Sequence, residues 1–248
     1  TDDRELLLYM IRTLIIAIFA LPATVFFSSL TILASFINKN SDLAYNCTKT
    51  WAKFVLAVSR IKVTVDGVYN LRPDRSYIYM SNHQSNFDIP VALAYLPFKF
   101  RWVAKAELFK IPIFGYAMHR IGHINIDRSN RRAAFKSLKK AAKNIREGVS
   151  VLIYPEGTRS KDGNISSFKK GGFVLAVESG VPIVPVIIHG TWPIMSKDKI
   201  IIKPGNVTIE IKEPIETKNY NRKSKDELLE KVRNIICESF EKGKRGKL

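Results

Sequence analysis

Cysteine is scarce in this chain. Its 248 residues include 2 cysteines, Cys47 and Cys237, which lie far apart and form no Cys-x-x-Cys pair. The sequence therefore indicates neither a disulfide framework nor a cysteine-ligated zinc site. A reducing, cytoplasmic compartment fits this cysteine usage.

Acidic residues are also few. The chain has 22 aspartates and glutamates against 40 lysines and arginines, which gives a formal net charge of +18. This charge implies anionic partners, and it leaves lipid headgroups, phosphorylated substrates, acidic carriers and nucleic acid open. The sequence has no internal repeat and no long low-complexity linker, so we expect one domain with an appendage.

Two further patterns are missing or incomplete. No serine or cysteine lies in a nucleophile-elbow sequence, so we expect no covalent intermediate on the chain. His119 and His123 are four positions apart, a spacing that on a helix can bind a metal. However, Gly122 lies between them and an alternating run follows it. The pair is more typical of a helix end and a new strand, and we predict no metal site.

Charge is absent from the run between Thr13 and Ile37. The run is about 25 residues long, whereas a helix of ~20 residues is enough to cross the hydrocarbon core of a bilayer, so we predict contact with a membrane. Pro22 lies near the middle, which leaves open a kink or a break into two shorter helices. We expect insertion into one leaflet rather than full crossing. A signal peptide is not expected, because no clear small-residue cleavage site follows.

A second segment, 42–59, interleaves aromatic residues with lysines. This pattern is typical of a helix at headgroup level, and equally of a helix packed on a globular domain. We therefore predict that residues 1–60 form a two-helix membrane-associating segment and residues 61–248 an α/β domain. The positive charges that follow the apolar run place that domain on the cytoplasmic face of the cell membrane.

From Ile61 onward, strand and helix patterns alternate. Strands are predicted at 61–65, 77–80, 100–104, 149–154, 181–188 and 207–211. Helices are predicted at 89–96, 131–147, 173–178 and 224–240, the last with a capping box of Ser224 and Glu227. Apolar strands between helices indicate an α/β fold, with a mostly parallel central sheet flanked by helices.

A histidine and an aspartate lie between the second strand and its helix, in the block Asn-His-Gln-Ser-Asn-Phe-Asp at 82–88. His83 and Asp88 would be about 140° apart on a helix, so they can meet only across a turn. Asp88 is a suitable helix N-cap, with Pro90 in the first turn. A histidine held by a carboxylate at one nitrogen presents the other as a general base. A loop histidine beside an ordinary capping aspartate is the alternative.

A second polar block, Pro-Glu-Gly-Thr-Arg at 155–159, follows directly on a predicted strand. Ligands collect at this end of the strands in open α/β sheets. Arg159 can hold a phosphate with two hydrogen bonds, Thr158 can donate its hydroxyl, and Gly157 admits backbone N–H groups. Glu156 cannot bind phosphate itself, so we expect it to orient Arg159 or a neighbouring donor. A Glu–Arg surface pair is the alternative.

Four blocks occur in a fixed order along the chain. They are Asn-His-Gln-Ser-Asn-Phe-Asp at 82–88, Gly-His-Ile-Asn-Ile-Asp-Arg at 122–128, Tyr-Pro-Glu-Gly-Thr-Arg-Ser at 154–160 and Val-Pro-Ile-Val-Pro-Val at 181–186. Together they resemble the four motifs of the glycerolipid acyltransferase superfamily, over roughly 81–186. The first and third look most like those of the 1-acyl-glycerol-3-phosphate acyltransferases.

This resemblance implies transfer of a fatty acyl group from a thioester to the free hydroxyl of lysophosphatidic acid, which gives phosphatidic acid. His83 would be the general base and Asp88 its partner. Arg128 matches the arginine of the second motif, which belongs to the acceptor site in the family. We assign Lys105 to the same phosphate, together with Arg159 and its neighbours. The thioester, acyl-CoA or acyl carrier protein, would be a co-substrate, and no resident cofactor is expected.

Two alternatives remain. The acceptor could be glycerol 3-phosphate or another lyso-lipid. A noncatalytic protein that binds anionic lipid or nucleic acid would also explain the charge and the apolar run. Simple charge attraction does not require the four ordered blocks, so we expect lysophosphatidic acid and an anionic membrane surface as partners, and no nucleic acid.

Overall fold

Two long helices precede the sheet in this computed structural model, which describes residues 3–37, 42–126, 141–143 and 145–246. Helix α1 spans Asp3–Ile37 and continues through Pro22, so the apolar run does not divide into two helices. Helix α2 spans Asp42–Val58 and packs against α1. Within the described residues, α1 is the helix that is long and apolar enough to cross a membrane, by length and composition.

Helix α1 turns its small and polar side chains towards the protein. Ser28, Thr31 and Ala34 are buried, while large apolar residues such as Leu21 and Leu33 are mostly exposed. Small side chains allow α2 and the rest of the fold to approach the helix closely. Helix α1 thus keeps an exposed apolar face, which is the kind of surface that marks an interaction site.

Helix α2 packs on the globular part of the protein. Ala52 and Leu56 belong to the main apolar core, and Trp51 is partly buried against it. Packing on the domain is therefore the observed state of this segment. The division at residue 60 stays a prediction.

Seven strands form one sheet in the described part of the chain. They are β1 Ile61–Asp66, β2 Ile78–Ser81, β3 Phe100–Lys105, β4 Ile124–Ile126, β5 Ser150–Ile153, β6 Ile183–His189 and β7 Gly205–Ile211. Their order is β1-β7-β6-β2-β5-β3-β4, and every pair is parallel except β6 and β7. The predicted mostly parallel sheet is confirmed. Since β6 and β7 are antiparallel, β1 and β7 run opposite to the other strands.

Helices cover both faces of the sheet. They are α3 Asp88–Tyr95, α4 Phe114–Arg120, α5 Gly171–Ser179, α6 Thr191–Ile194 and α7 Lys225–Lys244. Alternate residues of a strand point to opposite faces. In β2, Tyr79 joins the core formed with α2 and α3, whereas Ile78 and Met80 join the core formed with α5 and α7.

Helix α7 differs from its prediction at both ends. Ser224 is the N-cap of α7, but its hydroxyl makes no capping bond and instead accepts the backbone N–H of Asn221 at 2.9 Å. The predicted capping box was therefore wrong, because the preceding turn uses this hydroxyl. Helix α7 also runs past the predicted end at Phe240, to Lys244. Most of the helix predicted at 131–147 lies outside the described residues.

Candidate active site

The first and third sequence blocks meet because their strands are neighbours. Met80 of β2 pairs with Ile153 of β5 in a parallel register, so the loops after the two strands leave the same edge of the sheet. Asn82 holds the first loop against β6, since its side chain exchanges two hydrogen bonds with the backbone of Ile188, at 2.9 and 2.8 Å. This edge is where an open α/β sheet binds its ligands.

The predicted histidine–aspartate pair is formed. His83 Nδ1 lies 2.7 Å from Oδ2 of Asp88, which is fully buried. The same oxygen accepts the backbone N–H groups of Gln84 at 2.7 Å and Ser85 at 2.9 Å. A carboxylate acceptor assigns the proton to Nδ1 and leaves the lone pair on Nε2.

The prediction that Asp88 caps its helix was wrong. Phe87 is the N-cap of α3, and Asp88 is the first helical residue. Its carboxylate turns back over the preceding loop, because that turn presents two N–H groups and the imidazole. Pro90 lies in the first turn as expected.

Tyr154 forms a flat wall against the imidazole. Its ring stacks on His83 with a centroid separation of 4.0 Å and an interplanar angle of 13°. Burial raises the pKa of the Tyr154 hydroxyl well above its usual value. This hydroxyl is buried without a hydrogen-bond partner among the described residues. Sequence analysis recorded Tyr154 only as part of a block and missed this contact.

Glu156 joins the two loops of the site. It is buried, and its Oε1 accepts the backbone N–H of His83 at 2.7 Å. Its Oε2 accepts the backbone N–H of Ser166 at 2.9 Å and the Ser166 hydroxyl at 2.8 Å. Of the two roles expected for Glu156, to orient Arg159 or a neighbouring donor, the structure shows the second, because its oxygens hold donors of His83 and Ser166 rather than Arg159. Burial raises the pKa of Glu156, and the hydrogen bonds from Ser166 and His83 oppose this shift.

A cleft of about 490 Å³ opens beside His83. Three cationic side chains line it, namely Lys105, Arg159 and Lys197. Lys105 is the last residue of β3, and its side chain is exposed. The structure thus brings His83 and two of the predicted phosphate-binding cations to one cavity. Arg128 lies outside the described residues.

The Gly-Thr-Arg part of the third block supports this cationic wall. Thr158 Oγ1 accepts a hydrogen bond from Lys197 Nζ at 3.1 Å, and the Arg159 guanidinium donates to the Lys197 carbonyl at 3.2 Å. Gly157 has a φ of 74°, and a Cβ there would lie 3.0 Å from side-chain atoms of Lys169. The glycine is therefore favoured by the backbone conformation, whereas the flexible end of Lys169 could shift to admit a Cβ.

Lys197 was missed by sequence analysis. It follows α6 in a loop that belongs to none of the four blocks, so no pattern marked it. Its position depends on the chain returning to the site after β6. The signal available was a lysine in a short basic stretch, which is typical of any solvated surface.

An apolar chamber adjoins the cleft beneath α1. The two cavities share Trp51, Ile89, Trp102 and Phe114 as lining residues. Phe27 of α1 and Leu93 of α3 extend the apolar lining inward. A nonpolar chain attached to a molecule in the cleft has continuous apolar surface to follow.

His123 also lines the chamber, and it acts as a structural residue. Helix α4 ends at Arg120 and β4 begins at Ile124, so the predicted helix end and new strand are confirmed. His123 Nδ1 accepts the backbone N–H of Trp102 at 2.9 Å, and burial lowers the pKa of His123 to about 3. Across the described residues, no cluster of three His, Cys, Asp or Glu could hold a metal ion.

Comparison with known proteins decides the family. Residues 62–189, which include His83, Asp88 and the third block, match the family model for acyltransferases. The chain belongs to the acyltransferase family. Lys197 lies beyond the matched residues of this family, which explains further why the sequence blocks did not reveal it.

Curated relatives of this acyltransferase are themselves acyltransferases. It is 37% identical over 195 residues to the chloroplastic 1-acyl-sn-glycerol-3-phosphate acyltransferase LPAT1 of Arabidopsis thaliana, covering 78% of this chain and 53% of the relative. It is 30% identical over 237 residues to the 1-acyl-sn-glycerol-3-phosphate acyltransferase of Saccharomyces cerevisiae, covering 94% and 78%. The chain spans about half the length of the first curated relatives it matches.

A solved structure extends the likeness to the whole described fold. The crystal structure of the 1-acyl-sn-glycerophosphate acyltransferase PlsC from Thermotoga maritima superposes with a TM-score of 0.83 at 30% identity. The match covers 96% of this chain and 97% of the other. The acyltransferase fold therefore includes the N-terminal helices as well as the α/β part.

Proposed function

We propose that this acyltransferase moves a fatty acyl group from an acyl thioester to the sn-2 hydroxyl of 1-acyl-glycerol-3-phosphate and so forms phosphatidic acid. The observation that carries the proposal is the His83–Asp88 pair, held at 2.7 Å beside a cleft with three cationic side chains. The names of the curated relatives and of the solved structure support the same substrate class.

His83 is the general base of the proposed reaction. Its Nε2 takes the proton of the acceptor hydroxyl while the hydroxyl oxygen attacks the thioester carbonyl carbon. Asp88 stabilises the imidazolium that forms and fixes the ring. The tetrahedral intermediate then expels the thiolate, which recovers the proton from the imidazolium. General-base catalysis contributes typically ~10²–10⁴-fold, so positioning of the two substrates supplies much of the remainder.

The cationic wall binds the acceptor phosphate in this proposal. Arg159 provides a planar pair of donors, and Lys105 and Lys197 add point charges. Thr158 and Gly157 complete the loop that faces the phosphate. Arg128 is included on the resemblance of its block alone.

An acyl chain of one substrate lies along the apolar side chains that the cleft and the chamber share, since the chamber alone, at about 40 Å³, is too small to enclose it. The acyl donor is acyl-CoA or acyl carrier protein, and this chemistry needs no resident cofactor. Both the acceptor and the product are amphiphiles, and withdrawing a long chain into water costs about 0.8 kcal/mol per CH₂ group. We therefore place α1 in one leaflet of an anionic membrane, with the α/β part on the cytoplasmic face.

An acceptor panel in detergent micelles tests this function. Lysophosphatidic acid, glycerol 3-phosphate and other lyso-lipids are each supplied with acyl-CoA or acylated carrier protein, and His83→Ala serves as the inactive control. We expect product from lysophosphatidic acid, absent in the control. A preference for glycerol 3-phosphate or another lyso-lipid would identify that molecule, rather than lysophosphatidic acid, as the acceptor. Transfer to none of them would favour a noncatalytic lipid-binding protein.

A further inference from the structure

Two loops of the α/β part expose apolar side chains beside the N-terminal helix. We call two segments the rim loops, namely residues 110–116, which include the first residues of α4, and residues 197–203. In the first, Ile111, Ile113 and Tyr116 are 45%, 40% and 49% exposed. In the second, Ile200 is 79% exposed. Exposed side chains of this size, grouped on two loops that both border the same cleft, mark an interaction surface rather than scattered surface residues.

Both rim loops are attached to α1, at its two ends. In the second loop, the Ile202 N–H donates to the Thr13 hydroxyl at 2.9 Å, and Lys203 Nζ lies 5.0 Å from the centre of the Tyr9 ring. The first loop leads into α4, which packs against the C-terminal part of α1. The N-terminal part of α1 therefore contacts the second rim loop, and its C-terminal part contacts the helix that follows the first.

The C-terminal end of α1 holds α4 and the loop before it in place. Arg120 of α4 donates to the hydroxyl of Ser35 at 2.9 Å, and its guanidinium carbon lies 4.2 Å from the centre of the Phe36 ring. Ile113 has a φ of 62°, in a region that β-branched residues avoid. A residue is held in such a conformation only where its surroundings impose it. The fold of the loop therefore holds Ile113 in this conformation, with its side chain exposed.

The rim loops also border the active-site cleft. Phe114 of the first loop and Lys197 of the second both line it. Whatever covers the exposed side chains of the rim loops therefore lies at the entrance of the cleft.

The charges beside the apolar tips identify the kind of partner. Exposed Lys110 precedes Ile111, and Lys199 and Lys203 flank the Ile-Ile-Ile run of the second loop. Apolar tips between lysines match the boundary of an anionic bilayer, where alkyl groups enter the acyl region and ammonium groups reach the lipid phosphates. An acidic protein would satisfy the lysines but not the apolar tips.

We propose that the two rim loops insert into the same leaflet as α1, with their lysines on anionic headgroups, so that the cleft opens at the lipid surface. This proposal rests on the membrane placement of α1 in the proposed function. It goes further, because it assigns membrane binding to the α/β part as well, and it makes the rim loops part of the route by which a lipid substrate enters.

The first test compares aspartate variants of the full chain. The test variant combines Ile113→Asp with Ile200→Asp, and Tyr69→Asp is the control. Tyr69 is also exposed, at 82%, but it follows β1, which ends at the opposite edge of the sheet. We measure co-sedimentation with vesicles of phosphatidylcholine and phosphatidylglycerol, and acyl transfer in detergent micelles. The double variant should bind vesicles about tenfold or more weakly and keep its activity in micelles. Tyr69→Asp should change neither.

A second test does not depend on vesicle affinity. An environment-sensitive fluorophore is attached at Ile113→Cys, Ile200→Cys or Tyr69→Cys, in a chain that also carries Cys47→Ser and Cys237→Ser. On addition of the same vesicles, the labels at 113 and 200 should shift to shorter wavelength and be quenched by lipids with spin labels in the acyl region. The label at 69 should do neither.

The outcomes separate this proposal from the proposed function. Equal vesicle binding of the double variant and the unsubstituted protein, or unshifted labels at 113 and 200, would overturn the insertion of the rim loops even if acyl transfer is found. The same labels can be tested with acyl carrier protein in place of vesicles. If their fluorescence shifts with acyl carrier protein but not with vesicles, insertion is overturned and the surface binds an acidic protein. Shifted and quenched labels in a protein without transferase activity would support the surface and refute the function.

Discussion

Glu156 Oε1 lies 2.7 Å from the backbone nitrogen of His83 and accepts its N–H group. The two residues follow different strands, β5 and β2, and the second oxygen of Glu156 holds Ser166. A second backbone bond, from the Ser160 N–H to the His83 carbonyl at 2.8 Å, joins the same loops. The position of the proposed general base therefore depends on the block proposed to bind phosphate.

This link predicts a loss of activity in Glu156→Gln. Each carboxylate oxygen accepts from an N–H group, so the amide NH₂ of glutamine must face a donor, and either the His83 or the Ser166 N–H loses its acceptor. A fully buried unsatisfied donor costs about 1–3 kcal/mol and a part-buried one costs less, so we expect the contact to break, the His83 loop to shift and kcat to fall roughly tenfold or more. Steady-state kinetics in micelles measure it. The control Glu216→Gln removes an exposed partner of Arg75 and should keep full activity, and an unchanged kcat in Glu156→Gln would contradict the positioning role.

The catalytic pair gives a second prediction. His83→Ala should lower kcat by about 10²–10⁴-fold or more while the binding of lysophosphatidic acid persists. Asp88→Asn should lose a large part of the activity, because a neutral amide oxygen in place of Oδ2 stabilises the imidazolium less than a carboxylate does. Substrate binding is followed separately by calorimetry. Near-normal turnover of His83→Ala would refute the mechanism.

A third prediction concerns the phosphate. Arg159→Lys keeps the charge but loses the planar pair of donors, so the apparent KM for lysophosphatidic acid should rise more than that for the acyl donor. Lys197→Met should act in the same direction, since Lys197 lines the cleft. Lys62→Met, at an exposed position of β1, is the matched control. Equal effects on both substrates would indicate a structural role for these cations.

A fourth prediction separates the ring of Tyr154 from its hydroxyl. The hydroxyl is buried without a partner in the described part of the chain, whereas the ring stacks on His83 at 4.0 Å. Tyr154→Phe should therefore keep kcat and at least the original stability. Tyr154→Leu removes the aromatic face beside the imidazolium and should lower kcat with a smaller change in KM. If the phenylalanine variant loses as much activity as the leucine variant, the hydroxyl has a direct role.

A fifth prediction follows from the buried His123. Its pKa falls from the usual 6.5 to about 3 through burial, with Arg101 adding to the shift. Between these values the unfolded state binds more protons, so stability decreases as pH falls through this range, by up to about 1.4 kcal/mol per pH unit. His123→Gln keeps an acceptor for Trp102 and should flatten this dependence. Thermal unfolding in detergent, between about pH 7 and 4, measures it, and parallel profiles would contradict the assignment.

Much of the fold could be predicted from local pattern. The strands at 61–65, 100–104 and 207–211 lie within β1, β3 and β7, because alternation and apolar runs are properties of a few consecutive residues. The run from Thr13 to Ile37 likewise gave a helix, and it continues through Pro22 in a helix that packs against α2 and α4. Propensity at a single proline does not decide such a case.

The partners of buried polar groups could not be predicted in this way. The sequence indicated Asp88 as a helix cap and Ser224 as half of a capping box, and in both places a competing loop donor took the side chain. Glu156 is the clearest case. Its bond from the His83 N–H depends on the strand order, which places β2 and β5 side by side although many residues separate them.

The sequence by itself indicated the family, through four blocks in order along the chain. It also predicted the pairing of His83 with Asp88 and the apolar character of the N-terminal helix, because these two features depend on residues close together in the chain. Only the tertiary structure placed Lys197 in the cleft, stacked Tyr154 on His83 and attached Glu156 to the His83 loop. Those contacts join segments from different strands and loops. They exist because burial of the two apolar cores fixes the order of the strands, and side-chain spacing along the chain carries no record of that order.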